Sequence, residues 1–293
     1  MRFVACVAML FAFPAGAQEP KPTPPSSEIV VMGTPHREEQ VREFVGALTP
    51  ARSGSIPFFI DAACPRVTGL GQSQKDAVIA RLRVVAAAAG VRVADGACVP
   101  NMFVIVTPDK RTFIELLANK RPDSFGLMSA REIARLARTP GPAAAWQLEG
   151  PVTVGGVPLK FDDAFGAYVN PTTEPGSRLS TLARRGFDAA ALVVEAGALD
   201  GITTIQLADY AAMRLFAKLD LSRLPDRAPT TILTVLTAPM GSSVPIIMSK
   251  WDLGFLRGLY AVTSNRTPAG QRSQIAGQVM RELDGPEPGR SRR

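Results

Sequence analysis

The chain has 293 residues, a formal net charge of +7, a pI near 9.7 and a single histidine. That length can bury a sizeable core, and the basic excess favours anionic neighbours. One histidine excludes zinc sites and facial triads built on two histidines, and any Ser-His-Asp triad that does not recruit His36 from beside Pro35.

Met1-Arg2, the apolar run Phe3 to Phe13 and Ala15-Gly16-Ala17 read as the charged, hydrophobic and small-x-small parts of a signal peptide over residues 1–17. Cys6 lies inside the apolar run, whereas a lipid-attachment cysteine follows it, so no lipid anchor is expected. No later segment reaches the roughly 20 apolar residues of a membrane span. The expected mature protein is exported and soluble, periplasmic or extracellular. Its two remaining cysteines, Cys64 and Cys98, are then expected to pair, because disulfides persist in that compartment.

Residues 18–37, with Pro20, Pro22, Pro24 and Pro25, have the composition of a linker. Within them Ser27-Glu28-Ile29-Val30-Val31-Met32-Gly33 resembles the energy-coupling box of outer-membrane receptors that pair with TonB. The resemblance implies an accessory role in outer-membrane transport through strand addition; a lead-in to the protein's own fold is the other reading. From Glu38, the spacing Val41, Phe44, Val45, Leu48 predicts a helix ending at Pro50. A short strand is predicted over Ile56 to Ile60. Ser73 and Asp76 form a capping pattern for a helix that stops at Gly90, with strands following over Val91 to Ala94 and Met102 to Thr107.

Ser129 with Glu132 caps the next helix, Pro140-Gly141-Pro142 breaks the chain, and 143–175 reads as hairpin or loop rich in β structure. A strand is predicted over Ala190 to Glu195. Thr203 with Gln206, Ser249 with Asp252, and Thr267-Pro268 open three further helices. The sum is α+β: one domain over 38–285 with mixed helices, a small sheet and one disulfide, followed by a disordered basic tail over 286–293. Two subdomains meeting near Pro140 to Pro142 is the alternative arrangement.

Acid and base chemistry would rest on carboxylates, with Asp209, Asp162 and Asp163 as the catalytic candidates and Glu195 and Asp200 beside them. Asp209 stands out because it lies mid-helix among apolar residues, where burial demands a partner such as Arg214. Gly69-Leu70-Gly71-Gln72-Ser73 has the outline of an anion-binding turn, but without the lysine of a phosphate loop it reads as a tight turn. Trp251, Phe255, Leu256 and Leu259 form a core-facing stripe, with Tyr260 at its edge. No cofactor or metal is implied. Nucleic acid is not expected as a partner, since no stretch interleaves aromatic with basic residues.

Gln206 to Met213, Thr231-Ile232-Leu233, Ser249 to Leu253 with Phe255 to Tyr260, and Cys98-Val99-Pro100-Asn101 together resemble exported alphaproteobacterial families of unknown function. Some of those families have a layout similar to zinc metallopeptidases. The resemblance implies a peptidase-like helix without histidine ligands, hence a lost or replaced active site. The leading expectation is a non-enzymatic module binding an envelope protein or an anionic envelope polymer; a carboxylate-dependent hydrolase of envelope material is the alternative.

Overall fold

The Ala/Val/Leu-rich stretch Ala183–Glu195 forms the strand on which the sheet is built. A computed structural model describes residues 36–49, 56–153, 157–170, 183–224, 231–239, 241–261 and 267–285. The signal-peptide segment, Ser27 to Gly33, Pro50, Gly155-Gly156 and the 286–293 tail lie outside the described residues. The chain divides into two units, Met1–Thr34 and Pro35–Arg293, and the described residues all belong to the second.

The elements run α1 (Arg37–Leu48), β1 (Phe58–Phe59), β2 (Pro65–Thr68), α2 (Gln72–Ala89), β3 (Met102–Thr107), α3 (Lys110–Lys120), α4 (Ala130–Ala137), β4 (Ala143–Thr153), β5 (Lys160–Asp162), β6 (Ala167–Val169), β7 (Ala183–Glu195), α5 (Thr204–Phe216), α6 (Lys250–Tyr260) and α7 (Pro268–Asp284). Along one side of β7 run β3 and, further back, β1, both parallel to it; β2 lies beyond β3, also parallel. Along the other side β4 runs antiparallel, with an irregularity between Leu148 and Glu149. The architecture is α+β, with β5 and β6 forming a separate hairpin.

Strand alternation sorts the side chains onto two faces. Met102, Val104, Ala190, Leu192 and Val194 join α1, α2, α5, α6 and α7 in the main core. Ala144, Trp146, Ala191 and Val193 face the smaller core under α3 and α4, where Trp146 stacks on Phe125 with ring centroids 5.0 Å apart. Helices thus lie against both faces of the sheet.

Most helix starts follow the predicted caps: Ser129, Thr203, Ser249 and Thr267 each accept a backbone N–H from the third helical residue. The α2 cap differs. Its N-cap is Gly71, whose N–H donates to the Gln74 side chain at 3.1 Å, so the helix starts ahead of Ser73. Gly69 has φ +82°, and a Cβ there would lie 2.0 Å from the Val106 carbonyl oxygen. The Gly69 to Ser73 turn is therefore built for close approach to β3.

The Cys64–Cys98 disulfide is present, with Cα atoms 6.1 Å apart. It ties the start of β2 to the start of β3 across α2. The sequence pattern instead puts Cys64 at a strand exit, because Pro65 and the nearby glycines hide β2. Val91 to Ala94 contributes only an isolated bridge, Val93 to Ala63. β7 begins at Ala183, ahead of the predicted Ala190, because its first half pairs with β4 rather than β3. The α5 helix ends at Phe216.

Two glycines set the closest helix contact. On α6, Gly254 and Gly258 let α7 approach until an added Cβ would stand 2.8 Å from the Val279 Cα and 2.7 Å from the Ile275 Cα. The Tyr260 hydroxyl at the end of this helix donates to the Phe216 carbonyl at 2.7 Å and accepts from the Phe59 N–H at 3.2 Å. Burial pushes its pKa well up, so it remains a neutral clasp.

Candidate functional site

The carboxylates singled out in the sequence do not assemble. Asp209 is fully buried, and both of its oxygens accept from Arg81, Oδ1 from Nε at 2.7 Å and Oδ2 from Nη2 at 2.9 Å. Oδ2 also accepts from the Met248 N–H at 2.6 Å. Its partner is thus Arg81 from α2 and not Arg214, and the pair locks α5 to α2. Asp162 Oδ1 accepts from the Ala164 and Phe165 N–H groups in the β5–β6 turn, and the neighbouring Asp163 is exposed. Glu195 faces the start of α3, where its charge opposes the lowering of the Lys110 pKa by burial, while Asp200 is exposed after β7. His36 is exposed at the start of α1.

A second buried carboxylate, Asp252, accepts from the Thr231 hydroxyl, the Ile232 N–H, and the Ser249 N–H and hydroxyl. Burial raises its pKa, with these donors opposing the shift. All four donors come from the chain's own turns, so the group is a structural cap. The donor chemistry does not fit a zinc ion: no cluster of three His, Cys, Asp or Glu occurs among the described residues.

The open feature is the margin of the sheet at β4. N–H and C=O of one strand residue point the same way, and the direction alternates along the strand. Ala190 donates to Asn101, towards β3, and Glu195 donates to Pro142, towards β4. Ala191 and Val193 therefore bond Trp146 and Ala144, their register partners. The backbone groups of Ala143, Ala145 and Gln147 consequently point away from the sheet, and no strand pairs with β4 on that side over these residues among the described residues.

This five-residue edge, about 17 Å long at strand spacing, is closed off at both ends. Pro140 and Pro142 precede it. After it come the irregularity at Leu148/Glu149, Pro151, and the return of 157–159, whose Val157 carbonyl accepts from Thr153 N–H and whose Leu159 N–H donates to Pro151. Bulges and prolines of this kind blunt exposed edges against unwanted pairing. The stretch between them is left unblunted.

Two adjoining cavities of about 550 and 640 Å³ line this edge, sharing Leu136, Thr139, Ala145, Leu219 and Asp220. Together they form a trough. One wall is α4, with Glu132, Arg135 and Leu136; the other is the segment from Lys218 to Leu224 that follows α5. That second wall is fixed by Asp220 N–H to the Leu48 carbonyl at 3.0 Å and by Gln147, whose side-chain amide donates to the Arg214 and Ala217 carbonyls at 2.9 and 3.3 Å. The Gln147 contacts satisfy carbonyls that a helix end leaves without partners. At one end of the trough Glu149 is paired with both Lys218 and Arg185.

Beneath the other end, Tyr210 and Arg214 of α5 line the cavity one helical turn apart. Arg214 is 9% exposed, and its Nη1 donates to the Tyr210 hydroxyl at 2.6 Å. Behind the Thr139–Gly141 loop, the buried Lys110 ammonium donates to the carbonyls of Thr139 and Gly141 at 2.5 and 2.6 Å. Desolvation is the main cause of its lowered pKa, and the nearby Arg214 charge adds to it.

None of these trough residues stands out as functional in the sequence. Two signals were available: the Ala143-Ala144-Ala145 run in a strand, where alanine is a weak strand former, and the polar pair Tyr210 and Arg214 at i, i+4 in an otherwise apolar helix. Comparison of the chain with protein-family models, with curated proteins and with solved structures finds no match.

Proposed function

We propose that the protein is an exported, non-enzymatic binding module that takes up an extended polypeptide segment as an additional strand on β4. The observation that carries this reading is the outward-pointing backbone of Ala143, Ala145 and Gln147 at the bottom of a trough. Strand addition draws affinity from main-chain hydrogen bonds, and pockets along the groove supply selectivity. A polypeptide is the polymer whose repeat matches that edge; a glycan chain has no such alternation of donors and acceptors. Export rests on the signal-peptide pattern of residues 1–17, and the Cys64–Cys98 bridge suits an oxidising compartment.

The metallopeptidase-like layout is read in the same sense. The helix α5, which carries the Gln206 to Met213 part of that resemblance, offers Tyr210 and Arg214 to the trough, a pair suited to holding a segment rather than to cutting it.

The test is fluorescence anisotropy of the mature chain with a labelled hexapeptide of alternating threonine and valine, and with two copies N-methylated on the odd or the even amides. Strand addition uses one set of amides, so one methylated copy should lose binding while the other retains it. Equal binding of both copies, or no binding of the parent peptide, rejects the reading.

A further inference from the structure

We infer that Arg214 is the receptor for a carboxylate carried by the strand-bound segment, which rests on the strand-addition reading above. Arginine has five N–H donors in a planar fork suited to a carboxylate. One of them is used by Tyr210, whose ring also lies 5.6 Å from the guanidinium carbon. No acidic side chain of the described residues is paired with Arg214. The sealed side-chain atoms without partners among the described residues are Arg184 Nε and Gln274 Oε1, so the remaining Arg214 nitrogens open onto the cavity they line.

The surrounding charges point the same way. Lys110 has Glu195 for its counter-charge and two carbonyls for its protons, so its ammonium does not compete for a ligand. Asp220, the acid lining this cavity, is engaged through Oδ1 by the Ser222 N–H and hydroxyl, and it makes no ion pair with Arg214. The α5 C-terminus offsets part of the arginine's charge. A nearly buried guanidinium still lacks the anion that would replace its lost hydration. A carboxylate on a segment paired with Ala143 and Ala145 would supply it, from either a free C-terminus or a Glu or Asp side chain.

The experiment is fluorescence anisotropy of the mature chain with three labelled hexapeptides. The first is Thr-Val-Thr-Val-Thr-Val with a free C-terminal carboxylate, the second its C-terminal amide, and the third the same amide with glutamate at the fourth position. At least one carboxylate probe should bind about tenfold or more tighter than the plain amide, and the one that does identifies the source. In Arg214→Gln that preference, read as the ratio of carboxylate to plain-amide affinity within the variant, should disappear. A measurement needing no variant repeats the comparison at falling pH, where the preference should fade as the probe's carboxylate takes up its proton. Equal binding of all three probes, or a preference that survives Arg214→Gln, overturns the inference and leaves strand addition standing. Binding of none of them overturns strand addition, and this inference with it.

Discussion

Arg214 donates to the hydroxyl of Tyr210 at 2.6 Å, one turn back on α5, and both side chains line the cavity beneath Ala143 and Ala145. Arg81 and Asp209 show the opposite disposition: a bidentate pair, closed to solvent on the acid side and joined by a backbone N–H. The first arrangement leaves a guanidinium beside a cavity with no acid of the described residues paired to it; in the second the buried carboxylate and the guanidinium already satisfy each other's charge. That contrast separates the binding reading from the hydrolase reading, and it gives Asp209 a testable role.

Asp209→Ala should lower the unfolding free energy by roughly 3 kcal/mol, since it strands Arg81 and the Met248 N–H. Urea denaturation measures this. Peptide binding by the folded fraction should stay within twofold of the parent, which a catalytic or ligand-binding Asp209 would not allow.

The α6–α7 contact is tested by a pair of glycine changes. Gly258→Ala places a Cβ 2.7 Å from the Ile275 Cα and should cost about 1 to 3 kcal/mol. Gly46→Ala, on α1 with nothing within 4 Å of the new atom, should be stabilising by about 0.5 to 1 kcal/mol. Melting temperatures that move in the same direction for both would contradict the packing account.

Reduction of Cys64–Cys98 removes a cross-link spanning 34 positions and should cost roughly 3 to 4 kcal/mol. Thermal melts with and without reductant, and of the Cys64→Ser/Cys98→Ser double variant, read the loss. No change would mean that the β2–α2–β3 unit holds without its bridge.

Burial holds the Asp252 carboxyl above its usual range, so the folded state keeps a proton there that the unfolded chain has released. The stabilisation this group contributes is complete below the ordinary carboxylate value and is lost as pH rises through the raised one. The stability difference between the parent and Asp252→Asn should therefore depend on pH across that window, the parent losing more as pH rises. Parallel pH profiles would show that the folded-state pKa is not raised.

Local features were legible in the sequence and long-range ones were not. The caps at Ser129, Thr203, Ser249 and Thr267 depend on residues three positions apart, and the apolar stripe of α6 on a single helical period. Gly71 escaped notice because a glycine cap carries no side chain, its N–H being met by Gln74 instead. The partner of Asp209 lies 128 positions away on α2, beyond any local pattern. The trough is the extreme case, because it exists only once β4 has paired with Ala190 to Val194 and left its other edge without a paired strand among the described residues. Ala143 to Gln147 alone reads as an ordinary short strand.

The most direct test of the central claim is amide hydrogen exchange of the mature chain, resolved by residue, with and without a saturating extended peptide. The expected result is new protection at Ala143, Ala145 and Gln147, whose N–H groups point outward, with Ala144 and Trp146 unchanged because β7 already holds them. Saturation without added protection at these three amides, or protection confined to another surface, would contradict strand addition at β4.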